Sequence, residues 1–199
     1  MQEKTFPIAC VVLASGIGRR FGGNKLLAQL GTAPLMQHIL DVTENIFLER
    51  IVITRHNAIK KLCDKQHISC VLHNEPYLND TVRLGVEYIQ AHIKAQNKLL
   101  GILFATADQP LLKPSTLQKL CASFMQQPEK IHRLYYKNTP GNPVIFPISM
   151  TQELKALPQD KGGSVLAKKY PELVVKVQVQ DEYELFDIDT KEDLHQLEH

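Results

Sequence analysis

The sequence predicts an α/β fold: one doubly wound, mostly parallel sheet in a single domain over residues 1–199, with some antiparallel pairing in the second half. Three observations predict it. The apolar runs at residues 8–14 and 101–107 are continuous rather than alternating, as in parallel strands covered on both faces. Segments of helical apolar spacing alternate with strand-like runs through the first two thirds of the chain. A length of 199 residues suits one domain that buries about 70% of its unfolded surface.

The elements follow in order. Residues 8–14 form the first strand and end in a glycine-rich loop. Residues 34–46 carry Leu35, Met36, Ile39, Leu40 and Ile46 at helical spacing. Residues 50–54 are a β-branched strand, 57–65 a helix and 69–72 the next strand. Over residues 80–96, Val82, Val86, Ile89 and Ile93 share one helix face. The apolar run 101–107 is a second central strand. Pro114 opens a helix that continues through Leu117, Leu120, Cys121 and Phe124. The rhythm then changes: 131–136, 143–146 and 174–179 read as strands, with helices near 151–157 and 164–169. Thr190 followed by Asp193 is a capping-box pattern opening a last short helix.

Bulk properties exclude several functions. The net charge of +2 is too small for nucleic acid or a membrane surface as main partner. No apolar run approaches the ~20 residues of a membrane span. The N-terminal apolar stretch runs straight into the glycine-rich loop, so it reads as a buried strand rather than a signal peptide. Cys10, Cys63, Cys70 and Cys121 show no CxxC spacing, which leaves zinc and redox motifs unsupported. Cys10 and Cys121 lie in apolar runs and read as reduced core residues, consistent with the cytoplasm. The eight histidines are scattered without ligand spacing.

The loop LASGIGRRFGGNK spans residues 13–25. Its glycines at 16, 18, 22 and 23 let backbone approach a ligand closely, and successive N–H groups in such a loop can bind an anion. Arg19, Arg20 and Lys25 add positive charge suited to phosphates. Two familiar cradles fit poorly. A P-loop requires GxxxxGK followed by Ser or Thr, but Leu26 follows Lys25. A dinucleotide fingerprint requires GxGxxG, and the spacing here is one residue too long. The bland reading is a glycine-rich surface turn with solvated charges. Asp108 stands just past the apolar strand 101–107, at the carboxyl edge of the sheet. It either helps hold Mg²⁺, a hard ion that favours carboxylates and phosphates, or caps the following turn. Asp187 and Asp189 flank Ile188 late in the chain, and only one of the two is expected to reach a metal.

The loop pattern LAxGxGxR(F/M)GxxK resembles the signature of the molybdenum-cofactor nucleotidyltransferases and related NTP transferases. The likeness continues through ADQP at 107–110, GNPVIF at 141–146, DKGG at 160–163 and DIDT at 187–190. Within that group the chain looks most like the molybdenum-cofactor cytidylyltransferases. The resemblance implies a Rossmann-like fold of the nucleotide-diphospho-sugar transferase type and transfer of CMP from CTP to a molybdopterin-type acceptor, with Mg²⁺ and release of pyrophosphate. It implies nucleotide contacts from Leu13, Ala14, Ser15, Gly16, Gly18, Arg20 and Lys25, with Lys25, Arg20 and Asp108 as catalytic groups. Asp189 becomes the second metal ligand beside Asp108, although it is also placed to cap the following helix. Asn79 and Thr81 fall where the family reads the base. Here Thr81 replaces a serine, an expected glycine is missing, and both residues can equally serve as helix caps. Asn142, Gly162 and Gly163 fall on the acceptor side, with a plain turn as the alternative for Asn142. Competing readings are a GTP-using relative, a sugar or alcohol phosphate acceptor, and a cofactor-binding chaperone. A molybdoenzyme or its chaperone is a further possible partner.

Overall fold

The computed structural model describes residues 5–92 and 99–197. The first half comprises β1 (Phe6–Ala14), the short strands β2 (Gln29–Leu30) and β3 (Ala33–Pro34), α1 (Leu35–Val42), β4 (Phe47–Thr54), α2 (Asn57–Lys65), β5 (Ser69–Leu72), α3 (Leu78–His92) and β6 (Gly101–Thr106). The second half adds α4 (Pro114–Gln126), β7 (Ile131–Tyr136), β8 (Thr139–Pro147), α5 (Thr151–Lys155), α6 (Ser164–Lys169), β9 (Val174–Gln178) and α7 (Lys191–Gln196). Seven strands form one sheet in the order β5-β4-β1-β6-β8-β7-β9. Every neighbouring pair is parallel except the two that involve β8. The reversal arises from a tight turn between β7 and β8, where Tyr136 pairs with Thr139 and Lys137 takes φ 53°. This is the expected α/β architecture, mostly parallel with antiparallel pairing in the second half.

Side chains on β1 show why its sequence is apolar throughout. Cys10, Val12 and Ala14 face a layer containing α1, α2 and α4. Ala9 and Val11 face the opposite layer with α3, α5 and α6. All five are fully buried, so none of these five positions suits a polar residue. Full burial of an aliphatic side chain of this kind is worth about 1.5–3 kcal/mol. The central strands are therefore a firm support for the loops at their carboxyl ends.

Several boundaries differ from the sequence reading. The helix expected over 34–46 stops at Val42. There Thr43 turns its hydroxyl back to the Ile39 carbonyl, and Asn45 takes φ 55°. The helix expected over 80–96 begins two residues earlier, at Leu78, and is described to His92. Ile93 and the remainder of that expected helix lie outside the described residues. The β2–β3 pair carries no alternation long enough to signal a strand. No helix among the described residues is long and apolar enough to cross a membrane.

Gly101 shows how closely the layers meet. A Cβ there would lie 2.5 Å from the Phe124 ring and 2.8 Å from the Phe146 carbonyl oxygen. The ring can tilt, but the carbonyl is fixed in the sheet. Gly101→Ala is expected to destabilise the fold by about 1–3 kcal/mol. That corresponds to a melting temperature lower by about 2–10 °C at this chain length. An unchanged thermal melt would contradict the close approach.

Candidate active site

The loop after β1 is built to a fixed shape. Gly18 takes φ 58°, and a Cβ there would clash with the Gly23 carbonyl oxygen, so only glycine fits. Its own carbonyl accepts from the N–H groups of Phe21 and Gly22, both at 3.0 Å. Phe21 is buried and anchors the tip to the core. Asn24 caps the following turn by accepting from the Leu26 N–H at 3.3 Å. The loop therefore delivers Lys25 inward.

Lys25 is 7% exposed, and its ammonium spends all three donors. They go to Asp108 Oδ2 at 2.7 Å, the Ile188 carbonyl at 2.7 Å and Asp189 Oδ1 at 2.9 Å. Burial opposes the charge, but Asp108 and Asp189 outweigh it and hold the Lys25 pKa above its ordinary value. Arg20 Nη2 donates to the other oxygen of Asp189 at 2.7 Å. That pair is open to water, with side chains 72% and 37% exposed, and an ion pair of this kind contributes about 0–1 kcal/mol. Arg20 is thus easily redirected to an incoming phosphate, whereas Lys25 is not.

Residues 187–189, whose alternating pattern suits a strand, lie outside the sheet. A backbone bond from the Ile188 N–H to the Asp108 carbonyl at 3.0 Å ties it to the end of β6. Asp187 lies near enough to Asp108 and Asp189 to feel the charge of both. Its carboxyl is pushed up to about 6, first by desolvation and then by repulsion from Asp108 and Asp189.

Beside this cluster lies a cavity of about 770 Å³, within the usual range for small-molecule sites. Its floor is the carboxyl-end half of one sheet face: Leu13 of β1, Phe104 and Thr106 of β6, and Asn142, Val144 and Phe146 of β8. Residues 142, 144 and 146 reach it together because strand side chains alternate. The start of α3 and residues 160–164 form the facing wall.

The structure brings several of the singled-out residues together here. Leu13, Ser15, Gly16, Thr81 and Asp108 line the cavity, as do Asn142, Gly162 and Gly163. Lys25, Arg20 and Asp189 form the polar cluster joined to Asp108. Ala14 is fully buried against the opposite layer, so its side chain is not available to a ligand. Asn79 also lies off the cavity: its Oδ1 accepts from the Asp160 N–H at 2.9 Å and braces the turn before Gly162. Thr81 is inside α3 rather than capping it, and its buried hydroxyl hydrogen-bonds no described residue. Arg19, read as a solvated charge, lies on the cavity rim.

Sequence reading missed three contributors. His56 Nε2 donates to the Gly16 carbonyl at 2.9 Å, and His73 Nε2 meets Ser15 Oγ at 2.8 Å. Burial and the nearby Arg55 lower the His73 pKa, favouring the neutral ring. Neither histidine has ligand spacing, and only the fold reveals that both clamp the loop. Arg133 is the third, a cation on a strand that carries no motif.

Removing Lys25 would leave two carboxylates facing one another and a buried carbonyl unpaired. Lys25→Met should cost about 1–3 kcal/mol in the absence of ligand, seen as a melting temperature lower by several degrees. A melt as high as that of the parent protein would show that Lys25 does not hold the cluster together.

Residues 10–174 match the family described as the MobA-like NTP transferase domain. The chain is 32% identical over 124 residues to the bifunctional protein GlmU of Acaryochloris marina, covering 60% of this chain and 26% of that protein. It is 24% identical over 135 residues to a probable molybdenum cofactor guanylyltransferase of Aquifex aeolicus, covering 63% of this chain and 60% of that one. It thus spans about a quarter of the first relative and three fifths of the second. The crystal structure of Rv0371c from Mycobacterium tuberculosis H37Rv superposes with a TM-score of 0.83 at 24% identity, covering 96% of this chain and 97% of that one, a likeness of fold. The chain belongs to the MobA-like NTP transferase family.

Proposed function

We propose that the protein transfers CMP from CTP to a molybdopterin-type phosphate acceptor, releasing pyrophosphate, and that it does so with Mg²⁺ in the cytoplasm. The observation that carries the reading is the meeting of Lys25, Asp108 and Asp189 at the edge of a single cavity. Support for CTP and for the acceptor comes from the sequence likeness, which runs in order through five segments of the chain. Four free thiols fit a compartment that keeps cysteine reduced.

The residues present suit a divalent hard cation. Asp108 Oδ1 is buried and hydrogen-bonds no described residue, although a carboxylate oxygen there needs a cationic or donor partner. Among the described residues no group of three or more His, Cys, Asp or Glu side chains forms a complete cage. Mg²⁺ takes one or two carboxylates and completes its shell with substrate phosphates and water. In this reading Asp108 and Asp189 hold the ion, which supplies charge neutralisation on the triphosphate.

The chain's own residues do the rest. An acceptor phosphate monoester has its second pKa near ~6 and is mostly dianionic at neutral pH, so attack on the α-phosphorus needs no general base. The phosphate oxygen bonds to that phosphorus while its bond to the bridging oxygen breaks, and pyrophosphate leaves. Lys25, Arg20 and the loop N–H groups counter the charge of the nucleotide and the departing pyrophosphate, so catalysis is positioning plus electrostatics. A GTP-using reading has one observation in its favour, the likeness to the Aquifex aeolicus guanylyltransferase.

Pyrophosphate release with each of the four NTPs, with and without molybdopterin, tests the assignment. Turnover that requires molybdopterin and is fastest with CTP is expected; faster turnover with GTP would overturn the base assignment. Asp108→Asn should lower the rate by at least about 10²–10³, the usual cost of one such electrostatic contact, while the protein remains folded by thermal melt. Near-normal turnover by that variant would remove Asp108 from the metal site.

A further inference from the structure

Arg133 lies on β7, where it pairs with Val144 of β8, which in turn pairs with Phe104 of β6. Paired residues on adjacent strands share a sheet face, and all three line the cavity. Arg133 is half-buried, and desolvation pulls its pKa below the ordinary arginine value. Its Nε donates to the Gly141 carbonyl at 2.8 Å, which fixes the plane of the guanidinium. Its Nη1 and Nη2 groups bond to no described residue, and no described carboxylate pairs with it. A desolvated, oriented cation of this kind is costly unless something binds it.

Its position says which substrate. The sheet order is β1-β6-β8-β7 across this region. The phosphate loop follows β1, Asp108 follows β6, and Arg133 stands on the far side, two strand spacings or about 10 Å from β6. It shares that side with Asn142. Phosphates held by the β1 loop and Asp108 would leave the β7 side of the cavity to the second substrate.

We propose that Arg133 is a specificity-determining residue for the acceptor. It receives two adjacent, coplanar acceptor atoms on the end of the acceptor remote from the attacking phosphate. An arginine fork takes such a pair from an oxyacid group, or from the carbonyl and ring nitrogen at the edge of a fused heterocycle, as it does with guanine O6 and N7. The inference rests on the nucleotidyltransferase reading of the cavity and deepens it by assigning the acceptor end.

Steady-state kinetics with CTP and molybdopterin provide the first test. Arg133→Leu should raise the acceptor KM about 10- to 100-fold, the loss expected for hydrogen bonds to a charged group, with the CTP KM changed less than about twofold. Arg133→Lys keeps the charge but not the fork. It should also raise the acceptor KM, and it carries the same comparison if the leucine variant is unstable by thermal melt. An unchanged acceptor KM, or a loss falling on CTP instead, would overturn the proposal. If the parent protein does not turn over molybdopterin, that acceptor assignment fails on its own and a binding experiment decides the role of Arg133. Free pterin and inorganic phosphate are titrated separately into protein saturated with Mg²⁺ and α,β-methylene-CTP. Loss of pterin binding in the Arg133 variants identifies a ring edge as the ligand, and loss of phosphate binding identifies an oxyacid. Binding of both probes unaffected by the substitutions would overturn the proposal.

Discussion

One ammonium group organises this molecule's functional end. Lys25 joins the loop after β1, the end of β6 and the segment at residue 188, and its partner Asp189 lies 164 residues away in sequence. Without that cation the three carboxylates at 108, 187 and 189 would repel one another; the Asp187 pKa is already raised, by desolvation first and then by Asp108 and Asp189. Burial alone would lower the pKa of Lys25, yet the two carboxylates win. The arrangement is a preformed balance of charge in which each group depends on the others.

That balance also suggests how substrate charge is accommodated. Arg20 and Asp189 meet in open water, so their separation costs little. Lys25 is enclosed, and its redirection toward phosphates requires a compensating positive charge on the carboxylates. A divalent cation arriving with the nucleotide satisfies that requirement. In the proposed function the site would therefore take a metal–nucleotide complex rather than either alone. On the far side of β6 the cavity carries Arg133, so positive charge bounds both ends of the space in which two anionic substrates would meet.

Much of this was legible in the sequence, and the reasons are local. Continuous apolar runs identified β1 and β6 because both faces of those strands are buried. The glycines of the phosphate loop stood out because Gly18 needs a positive φ in a space that excludes a Cβ. Asp108 was visible because it ends an apolar strand. What could not be read depended on contacts between distant segments. The ion pair of Lys25 with Asp189 has no local signature. Residues 187–189 resembled a strand by spacing, but their backbone bonds to the end of β6 and not to a sheet neighbour. Asn79 resembled a base reader because its position falls in a polar segment, whereas its side chain supports the backbone of Asp160. His56 and His73 clamp the loop across 40 and 58 residues of sequence. Arg133 gave no signal because strand alternation does not tell a cavity from solvent.

The central claim is that the Lys25, Asp108 and Asp189 cluster is the place where a metal–nucleotide complex binds. A crystal structure with Mg²⁺ and α,β-methylene-CTP tests it most directly. The account predicts the triphosphate against the β1 loop, Lys25 within hydrogen-bond distance of a phosphate oxygen, and Mg²⁺ on Asp108. A triphosphate bound elsewhere, with Lys25 still holding both carboxylates and no ion beside Asp108, would contradict it.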